Sequence, residues 1–328
     1  MKYYAAPMEG ITGCLFRRLH RQFFPGADRY YTPFLTANQT KHFKNKELRD
    51  IDPAENAGVP LVPQVLTKDP VQFAWAVDKI RDLGYEEVNL NLGCPSPTVT
   101  SHGRGSALLK DLDGLDRFFD ASFRLLSGSG ARISVKTRIP ERNEEAAEEL
   151  MRIFDRYPFS EIIVHPREQK DFYQNVPDLS SFSAMFRASE HPVCYNGDIC
   201  SRSDYGKITA KEPGLPAVML GRGLLANPAL IEELQTGERK MTAERCREWN
   251  RALALAYRDR YREDRNTLFR MKELWYYFGK AYPGEERLIR KVKRAGTLAE
   301  YLDASDAVFA SGEPGEIAGA LTVMQKEA

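Results

Sequence analysis

The sequence predicts a closed parallel β/α barrel of eight strands followed by a smaller helical region. Three features predict it. Short apolar runs alternate with amphipathic helical stretches from Met1 to about Thr236. Polar residues capable of chemistry cluster where those runs end. Near Gln235–Glu238 the β-branched alternation stops and only long helical patterns follow. An open, doubly wound sheet would also alternate strands and helices. The clustering at strand ends favours the barrel, in which all those ends share one rim.

The candidate strands are Tyr3–Met8, Arg29–Tyr31, Leu61–Val65, Glu87–Leu92, Ile133–Thr137, Glu161–Val164, Pro192–Tyr195 and Ala217–Leu220. They are short and mostly apolar, as strands covered on both faces should be. Helical periodicity places helices at Leu15–Phe24, Val71–Leu83, Leu112–Leu126, Glu144–Phe154, Leu179–Phe186 and Leu225–Leu234, with a shorter piece at Asp204–Thr209. Lys41–Pro53 is polar and only partly periodic, so it does not define the helix after the second strand. Residues 1–236 form one expected domain and 237–328 a second. The second has helices at Ala243–Tyr261, Leu268–Phe278, Glu285–Val292, Leu298–Ala304 and Gly315–Gln325.

Composition narrows the function classes. Hydrophobic residues make up 42% and charged residues 28% of the chain, as in a soluble globular protein, and a net charge of +1 says nothing about partners. Cys14, Cys94, Cys194, Cys200 and Cys246 are odd in number and include no Cys-x-x-Cys pair. That argues for a reducing compartment and against a disulfide framework or a zinc knuckle. No metal site is expected. No apolar run approaches a bilayer's thickness, and Met1–Pro7 lacks a secretory apolar stretch. A cytoplasmic monomer without membrane contact is the expectation.

The strand ends carry the chemistry. The first ends in Pro7-Met8-Glu9, the third contains Gln64, and the fourth carries Asn89 and Asn91 into Gly93-Cys94-Pro95. Lys136 and Arg138 lie on the fifth, and His165 and Arg167 at the end of the sixth. Asn196-Gly197-Asp198 follows the seventh and Gly221-Arg222-Gly223 the eighth. Loops after strands seven and eight are the usual phosphate site of this fold, and glycines there let backbone N–H groups approach an anion. No G-x-G-x-x-G follows a strand and no G-x-x-x-x-G-K-[ST] occurs, so dinucleotide-fold and P-loop cofactor sites are unsupported. Gly103-Arg104-Gly105-Ser106 sits in a long loop and reads as part of a mobile lid.

Together these segments resemble the tRNA-dihydrouridine synthase family. The resemblance covers most of the chain. It is carried by Ala6–Gly10, by Asn89-Leu90-Asn91-Leu92-Gly93-Cys94-Pro95-Ser96-Pro97-Thr98-Val99 and by Gly105–Leu109. It continues through Val135–Arg138, Val164–Gln169 with Tyr173, Asn196–Asp198 and Val218–Gly223. It implies FMN as cofactor, NADPH as reductant, uridine in tRNA as substrate, and a barrel followed by a helical RNA-binding domain. The Pro-Met-Glu-Gly start and the basic helical tail are most similar to the bacterial C-type subfamily. Three positions depart from the common pattern. Pro166 stands where glycine is frequent and removes an N–H, Gly13 where aspartate is frequent, and Gly103-Arg104-Gly105 replaces an all-glycine run.

Reducing the uracil C5=C6 bond to 5,6-dihydrouridine requires a hydride at one carbon and a proton at the other. The resemblance implies hydride transfer from flavin N5 to C6 and a proton to C5 from Cys94. An ordinary thiol, with a pKa of about 8.5, is protonated near neutrality. Lys136 is the candidate to stabilise the reduced flavin's negative charge, and Gln64 to bond the flavin's amide edge. His165 resembles the family's flavin-contacting histidine. Pro7-Met8-Glu9 is expected to pack along the ring system through its main chain. Asn196, Gly197, Asp198, Gly221 and Arg222 form the expected phosphate loops. Asn91 and Arg138 are candidates for holding the uracil. The other cysteines, with His20, His42 and His191, read as structural.

The tail is rich in cations, with aromatic residues between them. Arg287, Arg290, Lys291 and Arg294 fall on one helical face and Lys293 off it. Such a face suits phosphate contacts that position RNA without reading its sequence; a solvated helix is the ordinary alternative. Two other functions fit part of the pattern. An FMN barrel acting on a free pyrimidine would not need the basic tail. An RNA-binding protein or folding chaperone without chemistry would not need Cys94 with Lys136.

Overall fold

The apolar runs become the staves of a closed barrel in the computed structural model, which describes residues 1–317. The strand segments are β1 (Lys2–Ala5), β2 (Arg29–Tyr31), β3 (Leu35–Thr36), β4 (Leu61–Val62), β5 (Gln64–Leu66), β6 (Glu87–Leu92), β7 (Arg132–Arg138), β8 (Phe159–His165), β9 (Val193–Asn196) and β10 (Ala217–Leu220). Every pairing is parallel. The second and third staves are each in two pieces. Pro63, which has no N–H for the ladder, separates β4 from β5, and Thr32–Phe34 separates β2 from β3. Because β2 pairs β4, β3 pairs β5 and β1 joins β10 to β2, the ring closes.

The helices are α1 (Cys14–Phe23), α2 (Asn45–Asp50), α3 (Pro70–Asp82), α4 (Pro97–Thr100), α5 (Leu112–Leu125), α6 (Glu144–Phe154), α7 (Leu179–Ala188), α8 (Arg202–Lys211), α9 (Arg222–Ala226), α10 (Leu230–Thr236), α11 (Ala243–Tyr261), α12 (Asp264–Phe278), α13 (Glu286–Arg294) and α14 (Leu298–Ala310). The polar stretch after the second stave does hold a helix, α2. The single helix expected at Leu225–Leu234 is two, because Pro228 disfavours helical backbone at Asn227 just before it. The helix expected at Gly315–Gln325 lies outside the described residues except for its first three, which are not helical.

One apolar layer joins the outer faces of the staves to the surrounding helices, and Tyr4, Tyr31, Ile163, Cys194 and Met219 fill the barrel interior. Beyond Thr236, the regular elements of the described residues are all helical. These helices share their core with α1: Phe16 and Phe24 pack edge-on against Trp249, with ring centroids 5.7 and 5.6 Å apart. Leu15, Trp275 and Phe278 belong to the same cluster. The helical region is thereby fixed against one side of the barrel. Among the described residues, no helix is long and apolar enough to cross a membrane.

A buried polar knot ties α11, α12 and α14. Trp275 Nε1 donates to Tyr301 Oη at 2.7 Å and to Asn250 Oδ1 at 3.2 Å. Tyr301 Oη donates to Asn250 Oδ1 at 2.6 Å, and Asn250 Nδ2 donates to Ser305 Oγ at 3.2 Å. Asn250→Ala leaves the buried Tyr301 hydroxyl without an acceptor, at a cost of about 1–3 kcal/mol. Denaturant unfolding followed by tryptophan fluorescence should show the variant's midpoint lowered; an unchanged midpoint would mean that the knot contributes nothing.

Candidate active site

β6 is buried along its whole length and delivers Asn91 and then the Gly93-Cys94 turn to the rim. The turn is held from three directions. Asn91 Oδ1 accepts from the backbone N–H of Gly93 at 3.1 Å and of Cys94 at 2.9 Å. Arg138 Nε donates to the Gly93 carbonyl at 2.9 Å. Ser106 donates to the Cys94 carbonyl from both its backbone N (3.1 Å) and its Oγ (2.9 Å). Gly105 makes this approach possible. Its φ is +60°, and a Cβ there would stand 2.7 Å from the Cys94 oxygen. The segment expected to be a mobile lid is therefore packed under the Cys94 turn, with Gly105 and Ser106 buried.

Burial pushes the Cys94 thiol up, while the Ser96 N–H, Arg138 and Lys136 pull it down; burial prevails. Cys94 is half-buried, whereas Cys14, Cys194, Cys200 and Cys246 are buried.

A cleft open to solvent lies at the same rim, reached from the turn through Lys136, which stands opposite Asn91; Cys94 itself is not among its lining residues. Its walls bring together most of the expected cofactor residues: Pro7 and Met8 after β1, Lys136 on β7, and His165 on β8. The loops after β9 and β10 close its far end, supplying Asn196, Gly197, Asp198, Gly221 and Arg222. Gly223 lets these two loops touch; a Cβ there would lie 2.1 Å from the Ile199 carbonyl oxygen. Burial, then the nearby Arg138, pulls the Lys136 ammonium down to about 8, so it is mainly a cation at neutral pH and loses its charge as the pH rises through that value.

The far end is built around Asp198, whose φ of 41° is unusual for a residue with a side chain. Its carboxylate accepts from Arg167 Nη1 at 3.0 Å and from Arg167 Nη2, and pairs with Arg222. The same Arg167 donates from Nη1 to His165 Nε2 at 2.9 Å. A guanidinium can only donate, so Nε2 accepts and the imidazole proton sits on Nδ1. Burial and four cations, Arg138, Lys136, Arg167 and Arg222, hold His165 well below its ordinary value. Tyr173 lies across the opening, with Arg222 5.1 Å and Arg138 5.3 Å from its ring centroid.

Asn91 and Arg138, the candidates for holding the uracil, are both engaged by the protein. Asn91 also donates to Gln64 Oε1 at 2.7 Å. Arg138 also donates to the carbonyls of Glu168 (2.8 Å) and Phe172 (2.6 Å). Both are buried braces of the turn. Gln64 lies beneath the turn, bonded to Asn89 and Asn91, and does not line the cleft. The Glu9 side chain faces a second cleft, between α2 and the helices α11 and α12. Opposite Gly13, Asp50 supplies the carboxylate at the start of α1, accepting from the Cys14 N–H at 2.7 Å. The roles of Arg167, Ser106 and Tyr173 in the site do not show in the sequence, because these residues act across loop folds that carry no periodic signal.

In the tail, many cations are paired internally: Arg245 with Glu232, Arg247 with Asp306, Arg258 with Asp264, Arg260 with Glu55 and Arg270 with Glu273. Tyr257 and Trp275 are core. On α13 the apolar side is Ile289 and Val292, while Arg287, Arg290, Lys291 and Arg294 are exposed and form no ion pair among the described residues. Lys293 lies over the Tyr276 ring, 5.7 Å from its centroid.

Among solved structures, the barrel resembles histamine dehydrogenase from Rhizobium sp. 4-9 (TM-score 0.55, 10% identity, 77% of this chain and 48% of that one). It also resembles TcOYE with pHBA (TM-score 0.54, 9% identity, 72% and 89%). At such identities the likeness is one of fold. Fold and cleft define a β/α-barrel protein with a cation-lined cleft at the C-terminal ends of its strands. Residues 4–306 match the sequence profile of the family described as dihydrouridine synthase (Dus), and the chain belongs to that family. The tRNA-dihydrouridine synthase B of Pseudomonas aeruginosa is 28% identical over 239 residues, covering 71% of this chain and 70% of that protein. The probable tRNA-dihydrouridine synthase 1 of Synechocystis sp. is 26% identical over 320 residues, covering 94% and 86%. The tRNA-dihydrouridine(16) synthase of Pasteurella multocida is 28% identical over 243 residues, covering 72% and 75%.

The Asp198–Arg167–His165 arrangement predicts a histidine that stays neutral with its proton on Nδ1. Nitrogen-15 NMR of the histidine side chains should show one ring in that tautomer that does not titrate around the ordinary histidine value of about 6.5, a signal abolished by His165→Gln. The sign follows from the depressed value. The stability tied to keeping His165 neutral is present above about 6.5 and is lost as the pH falls towards its folded value. A His165 that titrates near 6.5 would contradict the arrangement.

Proposed function

We propose that this chain reduces the C5=C6 bond of uridine in tRNA to 5,6-dihydrouridine, with FMN as cofactor and NADPH as reductant. The observation that carries this reading is the Cys94 turn, braced on three sides next to a cleft of cations. The donor set fits an anionic, planar, phosphate-bearing group. Lys136 and His165 line one region of the cleft and the Asp198–Arg222 pair closes another. When bound, the flavin supplies the hydride that reduces C6. Lys136 would neutralise charge on the reduced ring, and the glycine-bearing loops after β9 and β10 would take the phosphate.

Cys94 supplies the proton. Its raised value keeps the thiol protonated at neutral pH, the form that can donate to C5. Arg138, Asn91 and Ser106 aim it, and Tyr173 with its two flanking guanidinium groups offers a face against which a base can lie. Residues 1–236 would form the catalytic domain and 237–328 the RNA-facing one, with the α13 cations on phosphates. A position-16 synthase and a B-type synthase match this chain at equal identity, 28%, so the similarities do not choose a subfamily.

Cys94→Ala should retain flavin and NADPH oxidation but slow dihydrouridine formation by about 10²–10⁴-fold, the usual scale of general acid catalysis. Mass spectrometry of the treated tRNA measures this; wild-type rates would remove Cys94 from the reaction. In the wild type, proton delivery should fail only above the ordinary thiol value of about 8.5, because the folded thiol is raised.

Replacing Arg287, Arg290, Lys291 and Arg294 by alanine should weaken tRNA binding. The logarithmic salt slope should become shallower by roughly 0.7–0.9 for each phosphate no longer neutralised. NADPH oxidation should be unaffected, and Lys293→Ala should matter least. A salt series of tRNA affinities decides it: an unchanged slope would make α13 an ordinary solvated face.

A further inference from the structure

Beneath the Cys94 turn, four buried side chains form a hydrogen-bond chain with a single direction. Its origin is unambiguous. The backbone N–H groups of Gly93 and Cys94 can only donate, so the Asn91 atom that receives them is Oδ1. The Asn91 nitrogen then points the other way and donates to Gln64 Oε1 at 2.7 Å. Gln64 Nε2 must in turn donate to Asn89 Oδ1, at 2.8 Å. Asn89 Nδ2 donates to Ser134 Oγ at 2.9 Å, where the chain ends. Turning the Gln64 amide over would set donor against donor at Asn91 and acceptor against acceptor at Asn89, so both neighbours hold it.

The strand register builds this chain. Gln64 on β5 stands opposite Asn89 on β6, and Asn89 opposite Ser134 on β7. Asn89 and Asn91 are two apart and share one face of β6, as Ser134 and Lys136 share one face of β7. Gln64, Asn89 and Ser134 are 0% exposed, so bulk water cannot substitute for a missing partner.

We propose that Asn89 and Ser134 are positioning residues. They lock the Gln64 and Asn91 amides in one of their two orientations and so fix the height and direction of the Cys94 thiol at the rim. This assignment rests on the reading of Cys94 as proton donor. Without the Asn89 oxygen, a turned-over Gln64 is opposed only by the donor-against-donor contact with Asn91, and without Ser134 the Asn89 nitrogen loses the partner that keeps it turned away from Gln64; either change loosens the hold on the Asn91 oxygen under the turn.

The test uses three variants and two readouts. Ser134→Ala removes the terminal acceptor. Asn89→Leu removes the link to Gln64. Asn89→Asp keeps an acceptor for Gln64 Nε2 and accepts from the Ser134 hydroxyl, so the Gln64 and Asn91 amides keep their orientations. The first readout is Cys94 alkylation by iodoacetamide across a pH series, with Cys94→Ala as blank; it needs neither RNA nor flavin. The second is single-turnover reduction of tRNA by the pre-reduced holoenzyme, compared with the rate at which NADPH reduces the enzyme.

Ser134→Ala and Asn89→Leu should shift the alkylation profile and lower the rate of tRNA reduction by roughly tenfold, the scale of a slightly misplaced reacting group. KM for tRNA and the NADPH half-reaction should be unchanged. Asn89→Asp should stay close to wild type in both readouts. Wild-type alkylation and turnover in both Ser134→Ala and Asn89→Leu would overturn the proposal. So would Asn89→Asp behaving like Asn89→Leu while folded. Should Asn89→Leu not fold, Ser134→Ala alone decides. If the alkylation profile shifts as expected but the wild type reduces no tRNA, the positioning role stands and the functional reading falls.

Discussion

Ser106 reaches back twelve residues to give two hydrogen bonds to the carbonyl of Cys94. The approach is possible because Gly105 places no Cβ against that oxygen. The Asn91 carboxamide holds the same turn from below, and the Arg138 guanidinium holds it from the side. A proton donor, the role proposed for Cys94, must sit within hydrogen-bond reach of its target, and a misplacement of about 1 Å can cost about 10²-fold in rate, so a thiol on an unbraced loop would be of little use in it. The neighbouring architecture supports this one turn. β6 is buried throughout, Arg138 is fully enclosed with every arm on a carbonyl, and the segment after α4 is packed down.

Charge in the cleft follows a second logic. Lys136, Arg138, Arg167 and Arg222 converge on a region whose one lining carboxylate, Asp198, is shared by two guanidinium groups. Like charges in a partly dry site repel strongly. The fold answers by different means for each group. Arg138 and Arg167 donate to carbonyl oxygens and to the Asp198 carboxylate, His165 stays neutral, and Lys136 has its value lowered to about 8. An anionic ligand completes such a site electrostatically, in line with the place that β/α barrels give to phosphate.

Much of this is legible in the sequence. Eight apolar runs ending in polar residues predict the barrel and its rim, since a parallel barrel exposes its strand ends on one side only. Cys94, Lys136, His165 and the two glycine loops fall on that rim because their position depends on strand register alone. The same register places Asn91, Arg138 and Gln64, but it does not announce the hydrogen bonds that tie them to one another and to the Cys94 turn. Whether a polar side chain faces a ligand or a backbone carbonyl depends on loop folding that periodicity does not encode. Arg167 is bonded to Asp198, 31 residues away, and no local pattern announces that pair. The break at Pro228, in contrast, is visible in the residue itself.

The helical region shares its core with α1, so the exposed cations of α13 are held at a fixed place relative to the barrel. If α13 takes the phosphates of an RNA, as proposed, rigid attachment would let one base reach the rim. The most direct test is nucleoside mass spectrometry of tRNA from a strain lacking the gene, with and without incubation with the purified holoenzyme and NADPH. Dihydrouridine should be missing at one or more positions and restored by the enzyme. A full complement of dihydrouridine in the deletion strain's tRNA, with none added to unmodified tRNA in vitro, would contradict tRNA reduction at the Cys94 turn.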